Sequence, residues 1–225
     1  MVELRPMERI VKQEIEVKLR VGDAAAMRRR LRQMGGRAVR RVHEMNTLFD
    51  TPQGTLRKQG RLLRLREETT QTGRRQSRYV LTFKGPVRRE REREEAPAGP
   101  EASGRRYVRY KVREEAEYMV GEPRAFWAVA GPAGMRPSFR YEKFRTSYRV
   151  PGAGRVHVEF DETPTGVFLE LEGPRRAIDR MARRLGYRPG DYIVRSYAAL
   201  HFAECRRRGV RAGDMVFGRR KAGRG

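Results

Sequence analysis

The sequence predicts an α+β protein organised around a closed eight-stranded antiparallel β-barrel, a tunnel, with flanking helices. Apolar and polar residues alternate over most of the chain, and helix-period patterns occupy only short stretches between the alternating segments. Several of these segments also carry one charged face, which a closed sheet can turn inward. The strand candidates are residues 14–21, 40–49, 61–67, 78–84, 108–119, 139–150, 155–161 and 167–172.

Four helices are predicted from capping residues and apolar stripes. The first begins after the N-cap Asp23, carries an apolar stripe through Met27 and Leu31, and ends at a Gly-Gly pair that favours a left-handed C-cap. The others rest on the same signals, namely a cap or proline at the start and a glycine at the end. They run from Pro174 to Gly186, from the cap Ser196 towards Gly209, and around Phe126 and Trp127.

The composition restricts the class of partner. The chain has 225 residues, enough for one large domain, and its 52 Lys plus Arg against 28 Asp plus Glu give a formal net charge of +24. This excess indicates a polyanion such as a nucleotide, polyphosphate or nucleic acid, without choosing among them. The single cysteine, Cys205, excludes an internal disulfide and a cysteine metal cluster. Because the sequence shows neither a signal peptide nor an apolar run near about 20 residues, we expect a cytoplasmic, non-membrane protein whose oligomeric state stays open.

Two segments lack the alternating pattern. Residues 86–106 combine a mixed charge run with proline and glycine, a composition that predicts a mobile insertion. Residues 206–225 are rich in arginine and contain one acidic residue, Asp214, which predicts a flexible basic tail able to bind polyanions non-specifically. The predicted domain therefore spans residues 1–205.

Charged residues recur at every second position in several strands. Glu14, Glu16 and Lys18 share one strand face, because side chains two residues apart point the same way. A solvated face explains any one such pattern, but not its recurrence along the chain. The other alternating charges are Arg64 with Arg66, Arg113 with Glu115 and Glu117, Lys143 with Arg145, and Glu170 with Glu172. Turned into a barrel lumen, these charges need partners, which a bound polyanion with divalent metals would supply.

Six motifs follow one another along these strands. They are Glu14-x-Glu16-x-Lys18, Phe49-Asp50-Thr51, Leu63-Arg64-Leu65-Arg66, Thr82-Phe83-Lys84-Gly85-Pro86, Lys111-Val112-Arg113-Glu114-Glu115 and Phe168-x-Glu170-x-Glu172-Gly173. Together they resemble the CYTH superfamily, the triphosphate tunnel metalloenzymes, over about residues 13–202. The resemblance implies an eight-stranded antiparallel tunnel. It also implies the activity of a class IV adenylate cyclase, a thiamine triphosphatase or an inorganic triphosphatase.

The resemblance further implies a role for each charged position. Metal ligands would be Glu14, Glu16, Asp161, Glu170 and Glu172. Such all-oxygen ligation suits Mg²⁺ or Mn²⁺. Catalytic roles would fall on Glu115, Lys84 and Arg113. The triphosphate cradle would comprise Lys18, Arg64, Arg66, Lys84, Arg113, Lys143, Arg145 and Arg195.

Three of these assignments have alternatives. Asp161 is also compatible with a turn aspartate beside Pro164, and Glu115 with a structural partner for neighbouring arginines. Arg195 stands where the family often has a lysine before Ser-Tyr, and arginine presents its donors in a different geometry.

The expected function is hydrolysis of tripolyphosphate, thiamine triphosphate or ATP by phosphoryl transfer to water. One alternative is a class IV adenylate cyclase, which would use the same cradle to make cyclic AMP and pyrophosphate from ATP. Cyclisation adds the demand that the ribose be held in one orientation. The other alternative is a non-catalytic polyanion or nucleic-acid binder, which would explain the net charge but not inward-facing carboxylates.

Overall fold

A computed structural model describes residues 11–88 and 110–218 of the chain. The strands of this part are β1 (Val11–Val21), β2 (Arg37–Asp50), β3 (Leu62–Thr70), β4 (Ser77–Lys84), β5 (Lys111–Val120), β6 (Arg136–Arg149), β7 (His157–Thr163) and β8 (Gly166–Glu172). The helices are α1 (Ala24–Gln33), α2 (Thr55–Lys58), α3 (Pro123–Ala130), α4 (Arg175–Arg184) and α5 (Tyr197–Arg207), with a 3₁₀ turn at Pro189–Asp191.

The strands form a closed barrel in the order β1-β5-β4-β3-β2-β6-β7-β8. All neighbours are antiparallel, and β1 closes the sheet by pairing with β5 through its first half and with β8 through its second. The register sets Glu14 opposite Arg113 and Lys18 opposite Glu170. The predicted eight-stranded antiparallel barrel with flanking helices is therefore confirmed.

Helices α1 and α4 cover the outer face of β1, β7 and β8. Val17 of β1 and Leu169 of β8 pack with Leu31 of α1 and Ile178 of α4 in one apolar cluster. Burying a side chain of this size contributes roughly 1.5–3 kcal/mol. Because alternate residues of a strand point to opposite faces, an apolar face held under the helices turns the charged face into the lumen.

A second apolar cluster lies at the end of the barrel where β6 and β8 begin. Phe139, Phe168 and Tyr197 pack there around Met215, which is 1% exposed. The Met215 amide donates to the Arg140 carbonyl at 2.9 Å, and the Met215 carbonyl accepts from the Glu142 amide at 3.0 Å. The barrel is thus packed with side chains at this end.

The C-terminal prediction needs correction over residues 206–218. We expected a flexible tail from Arg206, but α5 continues to Arg207 and the following residues return to β6. The physical reason is that β7 pairs with β6 only from Phe144 onwards, which leaves backbone groups near Arg140 to be satisfied by another segment. Residues 219–225 lie outside the described residues.

The remaining predicted elements agree with the structure apart from their ends. Asp23 caps α1 by accepting from the Ala26 amide at 2.9 Å, and the helix expected around Phe126 is α3. The strand expected from residue 155 begins at His157, because residues up to Val156 belong to a turn in which the Val156 amide donates to the Ala153 carbonyl. Helix α2 and the 3₁₀ turn were not predicted, since each is too short for a periodic pattern.

The predicted insertion at residues 86–106 falls almost entirely outside the described residues, as does the start of the strand expected from residue 108. None of the described helices is long and apolar enough to cross a membrane.

Candidate functional site

The lumen collects buried charges from every strand of the barrel. They are Glu14, Glu16 and Lys18 of β1, Glu44 of β2, Arg64 and Glu68 of β3, Lys84 of β4, Lys111, Arg113 and Glu115 of β5, Lys143 of β6, Asp161 of β7 and Glu170 of β8. Charges removed from water are stable only when they have partners. In this lumen the partners are charges of opposite sign on neighbouring strands.

Asp161 is the most saturated acceptor of the lumen. It is fully buried and accepts from Lys143 Nζ at 2.8 Å and from Arg145 Nε and Nη2 at 2.7 and 2.6 Å. The Tyr197 hydroxyl donates to it as well, at 2.7 Å. Asp161 lies within β7 and not in the following turn, so the turn-aspartate alternative is not supported. It fixes the position of two cradle cations.

Glu44 lies on the other side of the same cations. It is fully buried, and among the described residues neither of its carboxylate oxygens has a hydrogen-bond partner. Its nearest charges are Arg66 Nε at 3.4 Å, Lys143 Nζ at 3.5 Å and Arg145 Nε at 3.8 Å. Burial alone would raise the pKa of Glu44, but these three cations hold it well below its usual range. The carboxylate is therefore ionised and keeps free acceptor capacity.

The two carboxylates at the start of β1 are held by lysines. Glu14 accepts from Lys84 Nζ at 2.6 Å, and the same ammonium lies 3.1 Å from Glu115. Glu16 contacts Lys111 and lies 3.1 Å from Lys18 Nζ. Burial would raise the pKa of Glu16, but these lysines lower it well below its usual range. Both carboxylates thus have lysine partners.

Lys18 links β1 to the opposite wall. Its ammonium lies 2.9 Å from Glu170, which also contacts Arg145. Burial would lower the pKa of Lys18, but Glu16 and Glu170 raise it above its usual range. One ionic network therefore joins β1, β6, β7 and β8.

Arg64 and Arg66 share one face of β3, as predicted, and differ in how far they are satisfied. Arg66 donates to Asn46 at 3.0 Å and to Glu68 at 3.2 Å. Arg64 donates to Thr82 at 2.9 Å, whereas its buried Nε has no hydrogen-bond partner among the described residues. A buried guanidinium with a free donor is suited to bind an anion.

Glu172 marks a part of the lumen where carboxylates predominate. Its nearest cation within residues 11–88 and 110–218 is Lys12 Nζ, at 3.9 Å. Burial, reinforced by the neighbouring carboxylates Glu14 and Glu115, raises the pKa of Glu172 to about 7. On this acidic side of the lumen, Glu172 lacks the close cationic partner that Glu14 and Glu115 have in Lys84.

Two predicted cradle residues are engaged elsewhere. Arg113 donates to the carbonyl of Gly85 at 2.7 Å and to that of Gly60 at 2.9 Å, so its guanidinium ties two loops together. Arg195 is exposed and donates to the Ala199 carbonyl at 2.8 Å. The structure does not bring Arg195 into the lumenal network.

The five predicted metal ligands all lie in the lumen, but their oxygens are separated by lysine and arginine groups. Within residues 11–88 and 110–218, no three His, Cys, Asp or Glu side chains are arranged to hold a metal ion. The donor chemistry nevertheless suits a hard cation, and Glu172 has no cation closer than 3.9 Å among the described residues.

Sequence reasoning missed several lumenal residues. Lys111 carried a signal, because it stands two positions before Arg113 on the same strand face. Glu44 and Asn46 also alternate, but a single Glu-x-Asn pair is common on solvated strands. Tyr197 reaches Asp161 from a helix, and no strand pattern could have revealed it.

The barrel and its lumenal charges agree with the family to which the chain belongs. The CYTH domain family matches residues 12–197, and the chain belongs to it. CYTH proteins process triphosphates, in agreement with a lumen that contains several lysines and arginines. No curated protein matches the sequence.

Solved structures show the same fold. A Pyrococcus horikoshii protein, PH1819, has a TM-score of 0.63 at 20% identity, covering 85% of this chain and 99% of its own. A candidate adenylate cyclase from Vibrio parahaemolyticus has a TM-score of 0.60 at 21% identity, covering 83% and 95%. The Hippeastrum protein HpAC1, described as having a dominant triphosphatase activity, has a TM-score of 0.54 at 17% identity, covering 88% and 97%.

Proposed function

We propose that this CYTH protein is a divalent-metal-dependent triphosphatase that hydrolyses inorganic or organic triphosphates by phosphoryl transfer to water inside the tunnel. The observation that carries the proposal is the convergence of lysines and arginines from several strands in one lumen, beside carboxylates that stay ionised. Guanidinium and ammonium groups match phosphate oxygens in charge and hydrogen bonding. The triphosphatase activity described for HpAC1 supports hydrolysis as the reaction.

The cradle side chains would exchange carboxylate partners for phosphate oxygens. Arg64 has a free donor already, and Arg66, Lys143 and Arg145 lie around the unbonded oxygens of Glu44. Phosphoryl transfer asks little covalent work of the protein, so positioning and neutralisation of charge by these cations supply most of the rate.

The acidic side offers the donors for Mg²⁺ or Mn²⁺. Glu14, Glu16, Glu170 and Glu172 would hold the ion, which when bound neutralises phosphate charge and activates water. Asp161 fits less well, because its oxygens already accept four hydrogen bonds. We assign it to positioning Lys143 and Arg145.

Other lumenal groups are assigned to the reaction itself. We infer that Lys84 and Glu115, which lie 3.1 Å apart beside Glu14, would contact the reacting phosphate and the attacking water. Arg113 would act on them indirectly, by holding the loops at Gly60 and Gly85.

The test is to incubate the protein with tripolyphosphate, thiamine triphosphate and ATP in Mg²⁺ or Mn²⁺ and to measure orthophosphate, pyrophosphate and cyclic AMP separately. We expect orthophosphate from at least one triphosphate. Stoichiometric cyclic AMP and pyrophosphate from ATP, with tripolyphosphate intact, would establish the cyclase instead.

Variants connect that activity to the lumen. Glu14→Gln and Glu16→Gln should each reduce turnover to background while circular dichroism stays unchanged, because each removes a carboxylate charge and keeps the side-chain shape. Glu114→Gln is the matched control, since Glu114 lies on the outer face of β5 and is half-exposed. Wild-type turnover in both lumenal variants would contradict the proposed metal-dependent reaction.

A further inference from the structure

The net charge of the chain does not reside in the tunnel. Lumenal lysines and arginines lie against carboxylates, as Lys84 does with Glu14 and Arg145 with Asp161, so the lumen is close to balanced. A formal charge of +24 must therefore be carried largely by outer surfaces. This is an observation independent of the proposed reaction.

The excess positive charge is concentrated in the layer formed by helices α1 and α4. Helices α1 and α4 together contain nine arginines and one acidic residue, Asp179. Their buried faces are apolar, built from residues such as Leu31 and Ile178, and seven of the nine arginines are exposed. The exposed arginines of this layer are Arg29, Arg30 and Arg32 of α1 and Arg176, Arg180, Arg183 and Arg184 of α4.

The two helices form one continuous surface. Arg30 of α1 donates to the Arg184 carbonyl of α4 at 2.6 Å, and Arg184 donates to the Pro151 carbonyl at 2.9 Å. On α4, Arg176, Arg180 and Arg183 follow at spacings of four and three residues, which places them in one stripe. We call this surface, formed by the exposed arginines of α1 and α4, the arginine face.

The charges of the arginine face are not neutralised by ion pairs within the part of the chain that the structure describes. Within residues 11–88 and 110–218, neither Arg29 and Arg32 nor the α4 stripe forms an ion pair with a carboxylate. Like charges held this close on rigid helices repel one another. The phosphates of a polyanion would relieve that repulsion, and the counterions that the polyanion releases on binding would favour the complex further.

We propose that the arginine face binds the phosphate backbone of duplex nucleic acid without sequence preference. Rigid helices that carry arginine suit backbone contacts. Single strands are bound by aromatic stacking as well as charge. The exposed aromatic side chains of the described residues lie on other elements, at Phe83, Tyr118, Trp127 and Phe202. The face therefore matches a duplex better than a single strand.

The experiment is fluorescence anisotropy of a short labelled DNA duplex with the full-length protein, titrated at several salt concentrations between about 50 and 200 mM. The test variant replaces four arginines of the face by glutamine: Arg29, Arg32, Arg180 and Arg183. Two controls remove the same charge elsewhere. One replaces Arg61, Arg74, Arg75 and Arg124, and the other replaces Arg219, Arg220, Lys221 and Arg224.

The logarithm of the affinity falls linearly with the logarithm of the salt concentration, and each arginine on a phosphate makes this slope steeper by about one unit. The slope of the test variant should therefore be shallower than that of the wild type by about 3 to 4 units. The controls should keep the wild-type slope, and all variants should keep triphosphate turnover and melting temperature. Loss of the slope in the C-terminal control alone would overturn the proposal in favour of the tail. The proposal would also be overturned if unlabelled single-stranded DNA or long-chain polyphosphate competed better than unlabelled duplex.

Discussion

The lumen has two sides with opposite electrostatic character. On the cationic side, Lys143 and Arg145 are clamped by Asp161 and bordered by Glu44, and every charge has a close partner of opposite sign. On the acidic side, Glu172 lies among other carboxylates with its nearest recorded cation 3.9 Å away. The charges of the cationic side are paired with one another, whereas Glu172 on the acidic side has no cation closer than 3.9 Å among the described residues.

The difference shows what each side is prepared for. Cations held in place by a buried carboxylate are already oriented when a phosphate arrives and need only exchange hydrogen-bond partners, which favours electrostatic preorganisation. Carboxylates that repel one another are relieved by a cation, and the relief contributes to binding it. Mutations on the two sides should therefore have opposite effects on stability.

The largest expected effect is on the cationic side. Asp161→Ala leaves Lys143 and Arg145 buried without their main acceptor, and breaking such a buried pair costs about 3–5 kcal/mol of unfolding free energy. Urea denaturation measures this. The neighbouring Glu162→Ala is the control, because Glu162 forms ion pairs with Arg28 and Arg41 that are partly exposed and worth about 1 kcal/mol or less. Equal losses in the two variants would remove the distinction between the lumen and the surface.

A smaller effect is expected for ligand binding. Arg64→Ala should weaken binding of a non-hydrolysable imido analogue of tripolyphosphate by about 1.5–3 kcal/mol, the scale of a charged hydrogen bond. Isothermal calorimetry in Mg²⁺ measures the change. Arg61→Ala serves as control, since Arg61 is exposed just before β3 and its side chain bonds only to Gln59 among the described residues. Unchanged affinity in Arg64→Ala would place the phosphates on another part of the lumen.

The barrel was predictable from the sequence because its signals are local. Alternation at Glu14, Glu16 and Lys18 specifies both a strand and the face that carries charge, and the N-cap at Asp23 specifies where α1 begins. Local patterns repeated along eight strands determine a closed sheet with one charged face.

The partners inside the lumen were not predictable, because they depend on register between strands distant in sequence. Nothing around Asp161 in the sequence indicates that Tyr197 donates a hydrogen bond to it or that Arg145 donates two. Arg113 has the residue type of a phosphate ligand, yet the loops at Gly60 and Gly85 engage its donors. The return of Met215 to β6 likewise follows from an unpaired strand edge, which composition does not reveal.

The smallest effect is expected on the acidic side and has the opposite sign. The pKa of Glu172 is about 7 in the folded protein. In the unfolded chain it is about 4.3. The folded state therefore binds the proton more tightly, and stability falls as pH rises from the lower value to the higher. Glu172→Gln should raise the melting temperature at pH 8 by on the order of 2 °C, because solvent screens a partly exposed group, and by nothing near pH 4. Mg²⁺ should then stabilise the wild type more than the variant, whereas a variant less stable at pH 8 in buffer without metal would show that Glu172 already has a cationic partner.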